Sequence, residues 1–237
     1  MSYFSMLIGL LSNEFKFYII AYMKEIKFFK EHFYKLVKTS GWPTIQIDGI
    51  QMHRISKLTP EIDSAKKVEA LNPPYGSLVL DICTGLGYTS IFFLKRGCGV
   101  ITIEKDENVL YIAKQNPYSK FLFENLTEED IPSCGKAKLI VGDAKEVIKS
   151  FPDNSFKYIL HDPPKFNIAE DLYSFEFYLQ LYRILKPEGK ILHYVGSPQI
   201  KSKNKNIIGN IIKRLKEVGF KKIQPVDEIE CFLIFKQ

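Results

Sequence analysis

The 237 residues hold only four cysteines and one tryptophan, and no apolar run is long enough to span a bilayer. Cys83, Cys98, Cys134 and Cys231 show neither C-x-x-C nor metal-ligand spacing, which argues against a disulfide scaffold and a cysteine metal centre. The thiols are expected reduced, as in a cytoplasmic protein, and no metal is expected. Tyr3 to Leu11 is mostly apolar but is interrupted by Glu14 and Lys16, and it lacks a basic leader and a small-residue cleavage site. Neither a membrane segment nor a signal peptide is expected there. Charge is also modest: the net +6 is concentrated in residues 201 to 222, which carry eight Lys or Arg and one Glu. Such a stretch reads either as a solvated helix face or as a surface attractive to a polyanion such as RNA.

What is present is organised around Val79-Leu80-Asp81-Ile82-Cys83-Thr84-Gly85-Leu86-Gly87-Tyr88. An apolar run of strand length ends in a carboxylate, passes into a glycine-punctuated turn and continues as helix. Gly85 and Gly87 leave room for a ligand against the main chain, and Asp81 at the strand end can accept from a ligand amine or hydroxyl. Val100 to Glu104 is a second β-branched run ending in an acid, about twenty residues on, where a dinucleotide fold places its ribose-binding carboxylate. Lys138 to Val141 is a third strand, followed by Gly142-Asp143-Ala144, in which Asp143 can cap the helix that begins at Lys145. Phe156 to His161 is a fourth, running into Asp162-Pro163-Pro164-Lys165-Phe166.

These stretches together resemble the class I S-adenosylmethionine-dependent methyltransferases over roughly residues 60 to 237. Asp81 to Gly87 is similar to their motif I, Glu104 to their ribose-binding acid, Gly142-Asp143-Ala144 to their adenine-contacting loop, and Asp162-Pro163-Pro164-Lys165 to their motif IV. The nearest resemblance is to predicted archaeal methyltransferases whose motif IV reads Asp-Pro-Pro, a basic residue and Phe. It implies a Rossmann-like α/β fold with a seven-stranded sheet in the order 3-2-1-4-5-7-6, and S-adenosyl-L-methionine as cofactor. The cofactor-binding set so implied is Asp81, Cys83, Thr84, Gly85, Gly87, Tyr88, Glu104, Lys105, Asp143 and Ala144. One departure is that Cys83 stands where motif I has its first glycine.

Residues 1–58 read as an N-terminal extension and 59–237 as the methyltransferase domain. From Phe15 to Val37, aromatic and aliphatic residues recur among lysines in a helical rhythm, which predicts an amphipathic helix. Two alternating runs about Asp48-Gly49 predict a β-hairpin, because that turn needs positive φ at both central positions. A hairpin is marginal alone, so it is expected to pack on the domain, either as plain cover or as a wall that brings His53 or Arg54 to the acceptor. Thr59-Pro60-Glu61 is a helix start, and Asn72-Pro73-Pro74-Tyr75 a turn preceding the first strand.

Ligands of open α/β sheets bind outside the carboxyl ends of the strands near the switch point, which places Asp162 against the transferred group. Pro163 and Pro164 remove two N–H donors, leaving an acid and free carbonyls to hold an amine's hydrogens while its lone pair faces the sulfonium. Phe166 is available to stack on a planar acceptor. Carbon methylation would need a cysteine nucleophile near motif IV, and none is there. The expectation is therefore methylation of a nitrogen in an RNA nucleobase, in tRNA or rRNA. The alternatives are a protein or small-metabolite acceptor, aminopropyl transfer from decarboxylated S-adenosylmethionine, and a non-catalytic partner subunit. The oligomeric state is left open.

Overall fold

The computed structural model describes residues 26–55, 57–196 and 201–237, without the side chains of 201–206. Seven strands form the main sheet: β5 (Leu78–Ile82), β6 (Gly99–Glu104), β7 (Ala137–Val141), β8 (Phe156–His161), β9 (Leu185–Tyr194), β10 (Lys222–Val226) and β11 (Cys231–Phe235). Their order is β10-β11-β9-β8-β5-β6-β7. β5 runs parallel to β6 and β8, β7 parallel to β6, and β9 parallel to β8, while β11 is inserted antiparallel between β9 and β10. Read from β7 this is 3-2-1-4-5-7-6, the expected order.

Because side chains alternate across a strand, Val79 of β5 faces one layer while Leu80 and Ile82 face the other. The first layer holds α1 (Pro60–Leu71), α2 (Tyr88–Lys95) and α3 (Glu107–Gln115); the second holds α5 (Ala144–Ser150), α6 (Phe175–Ile184) and α7 (Lys201–Val218). A short α4 (Lys120–Glu124) follows α3. Asp81 shares the face of Val79, so its carboxylate lies beneath the start of α2. Asn72 closes α1 at φ 49°, and the two prolines after it lead into β5 as read from the sequence.

Ahead of the domain lies an antiparallel sheet of β1 (Lys27–Phe29), β2 (Phe33–Val37), β3 (Thr44–Ile47) and β4 (Ile50–Gln51). The Asp48-Gly49 hairpin is its β3–β4 turn, with φ of 48° and 82°. The helix expected over 15–37 is not found at 26–37, where β1 and β2 stand; its first part lies outside the described residues. Pairing with β3 satisfies the β2 backbone and lets Phe33 and Tyr34 alternate between solvent and core. Tyr34, 2% exposed, then stacks on Phe28 and donates to Asp106 at the mouth of α3, 2.7 Å away. Tertiary contact has overridden a helical rhythm of apolar residues. Trp42 anchors the same sheet, stacked on Phe92 and edge-on to Tyr88, with its backbone N–H on Glu61.

Candidate active site

The loop between β5 and α2 is threaded onto β6. The N–H groups of Cys83 and Thr84 both donate to Ile103 O, and Gly87 N donates to Thr84 O at 2.7 Å. Cys83, Gly85 and Gly87 all adopt left-handed backbone, with φ of 75°, 55° and 78°. Cys83 thus follows the path a glycine would, at a cost of about 1 kcal/mol for its Cβ. The two glycines differ in purpose. A Cβ on Gly87 would lie 2.4 Å from Leu122, so that glycine permits packing; a Cβ on Gly85 would meet nothing within 4 Å, so its backbone faces open space. Thr84 and Tyr88, both expected at the cofactor, are committed to the frame: Thr84 pairs with Thr102 at 2.6 Å, and the Tyr88 hydroxyl donates to Pro43 O and accepts from Asn116.

Three acids stand at successive strand ends. Asp81 is fully buried; its Oδ2 accepts from Thr89 at 2.8 Å and Ser90 at 2.5 Å, while Oδ1 finds no partner among the described residues. Burial pushes its carboxyl up to about 7, against the pull of the two hydroxyls. Glu104 accepts from Gly85 N at 2.9 Å and Asp106 N at 3.0 Å, which ties the ribose-type acid to the glycine loop. Burial raises its pKa, and those two N–H groups oppose the rise. Asp143 caps α5 through Lys145 N at 2.9 Å, with Ala144 buried beside it and Lys105 exposed at the rim.

Asp162 follows β8, next to β5. Its Oδ2 takes a hydrogen bond from Lys67 Nζ at 2.6 Å, and Lys67 also pairs with Asp63 at 2.9 Å. Asp63 accepts from Arg54 at 3.1 Å, and Arg54 reaches Glu230 at 3.3 Å and Glu228 O at 2.9 Å. A buried chain of alternating charge therefore runs from motif IV through α1 into the extension and out to the turn before β11. Burial alone would lower the Lys67 ammonium, but the carboxylates of Asp162 and Asp63 overcome it and hold its pKa above the ordinary value. Lys67 Nζ also lies 5.1 Å over the Tyr194 ring.

The hairpin thus brings Arg54 into the site through Asp63. His53 lies against Tyr88 with its ring on Thr44, neutral, its pKa lowered to about 4 by burial and then by the charge of Lys67. Motif IV itself differs from expectation in one respect. The Pro164 carbonyl is not free, since Tyr173 donates to it at 2.9 Å. Phe166 packs edge-on to the same Tyr173, and Lys165 is exposed. His161 stacks on His193 within the sheet and its Nε2 donates to Leu172 O at 2.9 Å, as a polar filler would.

Lys67 and Asp63 are absent from the sequence-based site. The available signal was their position: Pro60, Ser64, Lys67, Val68 and Leu71 form the buried stripe of α1, and a charge on such a stripe needs a partner across the interface.

The sheet order, the glycine loop and the acids at the strand ends define the Rossmann-like α/β fold that S-adenosylmethionine-dependent enzymes share. The Spermine/spermidine synthase domain model matches residues 74–227, and the chain belongs to that family. The uncharacterized protein MJ1233 of Methanocaldococcus jannaschii is 46% identical over 196 residues, covering 83% of this chain and 64% of its own length. A second protein of that organism, MJ0670, is 25% identical and covered to 60%, so this chain spans about three-fifths of both. Among solved structures, a spermidine synthase in complex with the transition state analogue AdoDATO aligns with TM-score 0.62 at 19% identity, over 88% of this chain and 71% of its own. MNMC2 from Aquifex aeolicus aligns at 0.61 and 19%, over 95% and 77%. A SAM dependent methyltransferase from Aquifex aeolicus aligns at 0.51 and 18%, over 73% and 88%. No described helix is long and apolar enough to cross a membrane.

Proposed function

We propose that this protein transfers the methyl group of S-adenosylmethionine to an uncharged nitrogen of a nucleobase in RNA, tRNA or rRNA. The observation that carries the reading is the Lys67–Asp162 pair: the acid at the acceptor position is already matched to a buried cation. A polyamine acceptor brings ammonium groups that need unpaired acids, whereas a neutral N–H needs only an acceptor lone pair. The side chain of Asp162 keeps 22% exposure for that contact.

The residues present fit the methyl donor. The unpartnered Oδ1 of Asp81 calls for a donor such as an amine, the open backbone at Gly85 gives room above it, and Glu104 and Asp143 continue the row toward a ribose and an adenine. When bound, S-adenosylmethionine supplies a methyl group on a sulfonium, open to in-line attack by a nitrogen lone pair. Asp162 accepts the acceptor's N–H and orients that lone pair. Burial raises the Asp162 carboxyl and Lys67 opposes that rise, favouring the ionised form that accepts the N–H; the displaced proton passes to water. Tyr173 pins the Pro164 carbonyl and, through Phe166, stiffens the turn that carries Asp162. Lys213 and Lys216 of α7, Lys221 in the turn after it and Lys222 at the start of β10 give a polyanion a surface to meet.

The second reading, aminopropyl transfer from decarboxylated S-adenosylmethionine, is favoured by the family match. Calorimetric titration with each donor, followed by labelled-methyl transfer to total RNA and total protein, separates them. Preference for S-adenosylmethionine with label in RNA is the expected result; preference for the decarboxylated form, or label in protein alone, would overturn it.

A further inference from the structure

The surroundings of Lys67 Nζ form a complete site for an alkylammonium ion. Two carboxylate oxygens approach it, Asp162 Oδ2 at 2.6 Å and Asp63 Oδ2 at 2.9 Å, and the Tyr194 ring lies 5.1 Å from it. The side chains of Lys67 and Asp63 are 7% and 5% exposed. Asp63 is held from behind by Arg54, and Arg54 by Glu230 and the Glu228 carbonyl, so the Asp63 side of the cage is fixed independently of Lys67. Two acids, an aromatic face and low solvent access are what recognise a primary ammonium ion. Here the chain provides that ion from α1.

We infer that Lys67 is a tethered ammonium occupying an amine subsite built by Asp162, Asp63 and Tyr194, and that it is a specificity residue which bars free alkylammonium acceptors from Asp162. The inference rests on the reading of Asp162 as the acid of the acceptor site.

Truncation to alanine removes a propylammonium group, so n-propylamine is the matching probe and propan-1-ol its uncharged control. Lys67→Ala should lose thermal stability and regain it saturably with n-propylamine but not with propan-1-ol, while the wild type responds to neither. Its affinity for 1,4-diaminobutane, read by calorimetry, should exceed that of the wild type by at least about tenfold, because the variant leaves Asp162 without its cation and Asp63 with Arg54 alone. If Lys67→Ala does not fold, Lys67→Ala/Asp63→Asn carries one acid fewer and serves in its place. A folded variant indifferent to amines, beside a wild type that methylates RNA, refutes the inference and leaves the methyltransferase reading standing. A wild type that binds 1,4-diaminobutane with Lys67 in place and transfers an aminopropyl group to it overturns both.

Discussion

Asp81→Asn should make the free protein more stable while weakening its hold on the methyl donor. The carboxyl of Asp81 is fully buried, has one oxygen without a partner, and is pushed from 3.8 to about 7 by burial. A folded-state value raised above the unfolded one means the folded chain holds the proton more tightly. The associated stability is therefore complete below about pH 4 and is lost as pH rises through about 7. At 1.36 kcal/mol per pH unit the full loss is about 4 kcal/mol. Asparagine is never ionised, so it escapes this loss, and the hydroxyls of Thr89 and Ser90 can turn to accept from its amide. Urea unfolding of both proteins at pH 5 and pH 8 measures the effect. Glu104 and Asp162 are also raised by burial, but they are common to both chains and cancel in the comparison. The gap should widen toward pH 8, and titration with S-adenosylmethionine should show the variant weaker by about 1–3 kcal/mol, the usual cost of losing a buried polar partner. Equal pH slopes for the two proteins would refute the account of Asp81.

Gly85→Ala should cost about 1 kcal/mol in thermal unfolding, from positive φ alone, yet remove donor binding in calorimetry, because the new methyl enters space that no protein atom fills. Unaltered binding would mean the donor does not lie against that backbone. Arg54→Ala should cost about 3 kcal/mol in urea unfolding, since it leaves Glu230 without its cation and Asp63 with Lys67 alone, at side chains 17% and 5% exposed. Lys66→Ala, which breaks only the solvent-facing pair with Glu228, should change stability by less than about 1 kcal/mol in the same experiment.

The sheet was readable because each of its early strands ends in a recognisable residue. Asp81, Glu104, Asp143 and Asp162 terminate or follow runs of β-branched and aliphatic side chains, and strand order follows once the class is known. Cys83 shows the limit of reading by letter: a cysteine adopts the glycine's conformation because Ile103 O captures two successive N–H groups and dictates the path. The strands at 27–37 were hidden for a different reason. Aromatics among lysines suit either period, and only the partners Ile45, Asp106 and Phe28 choose between them. Lys67 and Asp63 lay in plain view as an i, i+4 pair of the kind that usually faces water. Their meaning comes from Arg54, Tyr194 and Asp162, which are distant in sequence and close only after folding.

That distance has a kinetic side. Arg54 bonds the carbonyl of Glu228 across 174 residues, so the charge chain cannot close until the turn before β11 has formed and β11 has slotted between β9 and β10. Loop closure over such a span comes late, after local helices and neighbouring strands have condensed. During that interval Asp63 and Lys67 can neutralise each other within α1, which spares the nascent helix an unmatched charge. The Arg54 end of the charge chain is then the last to be joined, on a sheet that is already in place.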